Sequence, residues 1–103
     1  MYAFEQDVPI NAAMHARIMA ELGDDLPPGL IAHIAMERED GHLSYLDLWE
    51  SRQDCDQFTE TRLHPVVGAA LHAAGIKVDG EPPRREVPVV EAWGSAFARP
   101  ASV

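Results

Sequence analysis

The sequence predicts an α+β domain in which four antiparallel strands carry two helices on one face. Three observations lead there. Two stretches rich in apolar residues, Leu30–Glu37 and Leu43–Glu50, flank a tight acidic turn that ends in glycine. A helical stripe precedes this hairpin and another follows it. A short strand pattern opens the chain and a last one, Val87–Trp93, closes it. The order is βαββαβ, the split βαβ or ferredoxin-like arrangement.

Tyr2–Val8 forms the first strand, since Tyr2 and Phe4 suit a pleated surface and Pro9 has no N–H for a ladder. Asn11 is a suitable N-cap. Met14, Ile18 and Leu22 recur every four residues, Met19 widens the stripe, and Gly23 fits the position just past the helix end. Asp24–Gly29 (DDLPPG) is a loop by its prolines and glycine. Leu30–Glu37 (LIAHIAME) is apolar on both faces and is therefore expected to be covered on both. One layer of helices covers a single face, so the other is expected to meet a second subunit.

The turn Glu39-Asp40-Gly41 sets the register. A two-residue turn would pair Ile34 with Asp47 and mix the faces. A three-residue loop with Gly41 in the left-handed conformation pairs Ile34 with Leu46, Ala32 with Leu48, Ala35 with Tyr45 and His33 with Asp47. A one-residue slip moves every side chain to the opposite face, so the sorted pattern selects the second register. One face then carries Leu30, Ala32, Ile34, Met36, Leu46 and Leu48. The other carries Ile31, His33, Ala35, Tyr45, Asp47 and Trp49.

Ser51 caps the second helix, with Asp54 three residues on as in a capping box. Cys55, Phe58, Arg62 and Leu63 lie along one side. Proline disfavours a helical residue before it, so His64 is expected at a kink or break before Pro65. The helix resumes from Val66 to Ala74. Ile76–Glu86 reads as a loop, and Pro88 gives the last strand an edge position. Residues 1–94 form one domain, and 95–103 are expected to be a flexible tail.

Composition removes several functions. The 103 residues suit one domain with a globular 47% apolar content. A net charge of −9 repels phosphate backbones and anionic lipid, so neither nucleic acid nor membrane is an expected partner. No apolar run approaches the roughly 20 residues that span a bilayer, and the first residues lack the pattern of a signal peptide. A cytoplasmic location is expected. The single cysteine, Cys55, allows no internal disulfide and stands on the apolar stripe. Its acidic neighbours Asp54 and Asp56 disfavour a thiolate. The five histidines show no HxH or HxxxH spacing, so no metal site is expected.

The segments GLIAHIAME, SYLDLWES, CDQFTETRLHPVV and VVEAW resemble the dimeric α/β-barrel superfamily, near the antibiotic-biosynthesis-monooxygenase-like proteins. The likeness covers about two thirds of the chain, from Gly29 to Trp93. It implies a homodimer whose sheets face each other as a barrel, with a pocket for a small hydrophobic or aromatic molecule. It also implies oxygenation without metal or organic cofactor, so none is expected. Haem-degrading members of the superfamily use an Asn on the first strand and a Trp with a His on the second helix. This chain has Gln6, no helical Trp and only His64, so haem handling is a distant third reading. The monooxygenase-like members place a histidine early in that helix, where this chain has Asp54–Phe58.

The catalytic candidates are therefore His33, Asp47, Tyr45 and His64. A carboxylate beside an imidazole fixes its tautomer and favours general-base action. Tyr45 and His64 would position a substrate, and Trp49, Phe58 and Trp93 would bind it through their rings. The alternative to an enzyme is a non-catalytic module that binds a ligand or another protein. There His33–Asp47 is a self-satisfied polar pair, His64 a surface residue, and both tryptophans interface anchors.

Overall fold

The computed structural model describes residues 1–77 and 80–94. The proposed tail beyond Gly94 lies outside the described residues. Strand β1 (Tyr2–Val8), helix α1 (Ala12–Leu22), β2 (Leu30–Glu37) and β3 (Leu43–Trp49) follow one another. A continuous helical run then comprises α2 (Arg52–Phe58), a π turn (Thr59–Leu63) and α3 (His64–Ala73), before the short β4 (Arg85–Val87). The strands form one sheet in the order β2-β3-β1-β4 with every pairing antiparallel. This is the ferredoxin-like topology.

The hairpin has the register that the face pattern demands. His33 pairs with Asp47, Ile34 with Leu46, Ala35 with Tyr45 and Ala32 with Leu48. Gly41 sits at φ +84°, and Gly41 N–H donates to the Arg38 carbonyl at 3.0 Å, closing the three-residue loop. One detail differs from the sequence reading. Ile31 is the extra residue of a β-bulge, so Leu30 pairs with Trp49. The bulge reverses the side chain of Leu30, which packs with Tyr2, Phe4, Trp49 and Cys55 rather than on the outer face.

Both predicted N-caps form. Asn11 Oδ1 accepts from Met14 N–H at 2.9 Å and Ser51 Oγ from Asp54 N–H at 3.1 Å. The helix does not break at His64: its φ −57° and ψ −44° are helical. The chain absorbs Pro65 by widening instead. In the π turn His64 N–H reaches back to the Thr59 carbonyl, a five-residue step that gives proline room the four-residue step lacks. Thr59 and Thr61 hydroxyls donate to the carbonyls of Cys55 and Gln57 at 2.8 and 2.7 Å.

The last strand also differs. It covers Arg85–Val87, not Val87–Trp93. Pro88 lacks an N–H and ends the pairing, while Arg85 opposite Glu5 supplies a cross-strand ion pair at 3.3 Å. Val90 beyond it is 98% exposed.

The helices cover one sheet face through two separate clusters. Val8, Ile10, Ile18, Leu43, Ala70 and Leu71 join α1 and α3 to the sheet. Tyr2, Phe4, Trp49 and Cys55, with Leu30 and Phe58, join α2 to it. Among the described residues no helix covers the opposite face, which leaves Ile34 and Met36 exposed.

Two glycines predict different costs. An added Cβ at Gly41 meets nothing, whereas at Gly29 (φ +85°) it falls 2.6 Å from Asp54 Cβ. Gly41→Ala should cost about 1 kcal/mol from backbone strain alone. Gly29→Ala should cost more, roughly 2–4 kcal/mol, because Asp54 must also move. Urea unfolding of both variants measures the difference.

Candidate functional site

The two clusters do not merge. Between them, under the helices, lies a half-open cavity of about 450 Å³. Protein interiors rarely leave voids larger than a water molecule, and this volume is within the range of small-molecule sites. Its walls are mainly apolar, with Ile18, Met19, Leu22, Phe58, Leu63 and Val67 among them.

The polar groups stand on the sheet. Strand alternation turns His33, Tyr45, Asp47 and Trp49 toward the helices, and all four line the cavity. His33 Nδ1 lies 2.5 Å from Asp47 Oδ1. Trp49 Nε1–H donates to Asp47 Oδ2 at 3.1 Å. Asp47 is 8% exposed, and a buried carboxylate requires such donors. With Asp47 accepting, His33 carries its proton on Nδ1. Nε2 is left with a lone pair, and it is buried without a hydrogen-bond partner among the described residues.

Tyr45 stands edge-on to His33, ring centroids 4.7 Å apart. Its hydroxyl lies 2.7 Å from His15 Nδ1. The His15 ring stacks on His33 at 5.7 Å with 14° between the planes. Burial pushes the Tyr45 phenol up to about 12, and the Asp47 charge adds to the effect. Burial also holds His15 below its ordinary 6.5, with His33 contributing in the same direction.

The remaining candidates are placed separately. Phe58 and His64 line the cavity from the helical run, and His64 Nε2 lies 3.6 Å from Glu81 Oε2. Trp49 is 1% exposed, so most of its ring serves the core while its N–H holds Asp47. Trp93 follows β4, is 58% exposed and takes no part in the described lining.

Sequence reasoning missed three contributors. His15 shares the i, i+3, i+4, i+7 stripe of Ile18, Met19 and Leu22, a polar residue on an apolar face that marks it out. Gln6, buried on β1, donates through Nε2 to the Pro82 carbonyl at 2.8 Å. Arg84 Nη1 pairs with Asp56 at 2.8 Å and Nη2 donates to Thr59 Oγ1 at 3.1 Å, its guanidinium lying 4.9 Å from the Phe4 ring centre. Burial works against the Arg84 charge, yet bonds to Tyr2 and Asp56 hold its pKa above the ordinary value. Gln6 and Arg84 thus fasten segment 81–84 across one side of the cavity. No local pattern announces these contacts, which span 25 or more residues.

Among the described residues, no group of three His, Cys, Asp or Glu side chains is placed to hold a metal ion. No helix among them is long and apolar enough to cross a membrane. Cys55 lines the cavity, but burial pushes its thiol up to about 11, the nearby Arg84 charge working against this.

An α+β ferredoxin-like domain with an apolar cavity and a histidine–carboxylate pair on its floor is the class these features define. No family model matches the chain, and no curated protein matches it. Among solved structures it is similar to a protein from Chloroflexus aurantiacus J-10-fl described as a putative antibiotic biosynthesis monooxygenase. The TM-score is 0.59 over 90% of this chain and 96% of that one, at 16% identity. The likeness bears out the fold resemblance read from the sequence, and at that identity it shows the fold alone.

Three outcomes follow from this geometry. Asp47→Ala strands two buried donors and should cost about 2–4 kcal/mol in urea unfolding, with Asp47→Asn costing less. The unfolded chain protonates His15 near 6.5 and the folded chain only at lower pH, so stability is lost as pH falls below about 6.5. Thermal midpoints at pH 7.5 and 5.5 should show the drop, and His15→Asn should reduce it. Cys55 should resist iodoacetamide at pH 8 in the folded protein and react once urea unfolds it.

Proposed function

We propose that the chain binds a small, largely apolar or aromatic molecule in this cavity and removes a proton from it with His33. The observation that carries the reading is the His33–Asp47–Trp49 arrangement at the cavity wall. The carboxylate holds the imidazole in one tautomer, and the remaining nitrogen has no partner among the described residues. Such an arrangement suits a general base. A self-satisfied structural pair would have both ring nitrogens occupied.

The finer reading is oxygenation without a cofactor. His33 Nε2 takes the hydroxyl proton of a phenol, Tyr45 and His64 orient the ring, and Phe58 packs on it. The phenolate is the reductant and dioxygen the oxidant. A phenol with a free para C–H becomes a quinone, one oxygen atom entering the ring and the other leaving as water. The fold likeness to the Chloroflexus protein and the apolar walls favour this reading.

The proposed functional unit is a homodimer. The outer sheet face presents Ala32, Ile34, Met36, Leu46 and Leu48 in register, with Ile34 48% and Met36 44% exposed. A second copy of the same face would cover it. Size-exclusion chromatography with light scattering should give a dimer, and Ile34→Asp should give a monomer.

His33→Ala and Asp47→Asn test the chemistry. Each should lower turnover of a bound phenol by about 10²–10⁴-fold while leaving its affinity within several-fold. Unchanged affinity and turnover in both variants contradict the proposal.

A further inference from the structure

The His33 nitrogen is one half of a bifunctional site. Tyr45 supplies the other half. Its ring meets His33 edge-on, and its hydroxyl is held from behind by His15, which stands outside the lining. We propose that His15 donates from Nδ1–H to the Tyr45 oxygen, which frees the Tyr45 O–H to donate to a substrate oxygen. The cavity would then take an enolisable carbonyl compound and exchange a proton at the carbon beside the carbonyl.

The chemistry follows from one acceptor and one donor set side by side. A phenol offers a single oxygen to both groups. A ketone with an acidic adjacent C–H offers them separate atoms, the hydrogen to His33 Nε2 and the oxygen to Tyr45. The C–H bond breaks and its proton goes to Nε2. The C–H pair becomes the C=C bond, and the carbonyl π pair moves onto oxygen. Tyr45 stabilises that oxyanion by hydrogen bonding while keeping its own proton. Protonated His33 returns a proton to carbon, so the cycle needs no oxidant. A donated bond into a hydroxyl strengthens the bond that hydroxyl gives, so His15 acts through Tyr45 as a positioning residue. The stacked, half-buried His15 ring stays neutral beside a His33 that gains charge.

This inference rests on the proposed cavity and on His33 as base, and the experiment separates the two. The folded protein is incubated in deuterated buffer with 2-tetralone, without dioxygen. Proton NMR follows loss of the C1 methylene signal, and saturation-transfer NMR reports binding in the same tube. Wild type should exceed the buffer rate at least about 10-fold. His33→Ala should abolish the excess, and Tyr45→Phe should cut it about 10²-fold, with binding retained in both. His15→Ala should lower the maximal rate several-fold with little change in KM. His15→Asn, whose amide nitrogen replaces Nδ1–H, should restore it. Binding without accelerated exchange overturns this inference and leaves the binding function standing. Exchange unaffected by Tyr45→Phe, or no rescue by His15→Asn, overturns the oxygen clamp. Absence of binding overturns the cavity reading and this inference with it.

Discussion

A buried carboxylate in the middle of the sheet is the constraint on which the rest depends. Asp47 is 8% exposed on an inner strand, where an unpaired charge would be costly. It is tolerated because Trp49 and His33 each give it a donor. That requirement ties together two strands and a core tryptophan. His33 must face Asp47 across the hairpin, so the three-residue loop at Gly41 and the site geometry are one choice. Sliding β3 by one residue would turn Leu46 and Leu48 inward and carry Asp47 to the opposite face, away from His33.

The cavity arises from how the helices reach the sheet. One cluster anchors α1 and α3, the other anchors α2. Between them the helical run takes its π turn, which places Thr59, Arg62 and Leu63 over the gap. Pro65 thereby costs no break, and the extra width keeps the helical run spanning the cavity. Such π turns are common at functional sites. Arg62 fastens the far side, donating to the carbonyls of Leu22 and Asp25 at 3.1 and 3.3 Å. Opposite it, Gln6 and Arg84 hold segment 81–84. The cavity therefore has fixed walls rather than being a gap in loose packing.

Much of this could be read from the chain because only the three-residue loop at Gly41 sorts the hairpin residues cleanly to two faces. The pairing of His33 with Asp47 followed from sorting residues to two faces. Caps at Asn11 and Ser51 were legible because capping depends on three or four neighbouring residues. What escaped the sequence depends on distance or on a single insertion. The bulge at Ile31 turns Leu30 inward, and both residues are apolar, so the pattern carries no trace of it. The last strand was assigned to Val87–Trp93 by its valines. Pairing instead follows Arg85 and its charge complement Glu5, 80 residues away. His15 contacts Tyr45 across 30 residues, and only its place on the α1 stripe hints at an inward role.

The central claim is that Asp47 fixes His33, a ring on the cavity wall, in the Nδ1–H tautomer and leaves Nε2 as a hydrogen-bond acceptor. The most direct measurement is long-range ¹H–¹⁵N correlation NMR of the ¹⁵N-labelled protein near pH 7.5. The account predicts a protonated Nδ1 and an unprotonated Nε2 for His33, reverting to a mixture in Asp47→Asn. A proton resident on Nε2 in the wild type would contradict it, because the ring would then present a donor where the site requires a base.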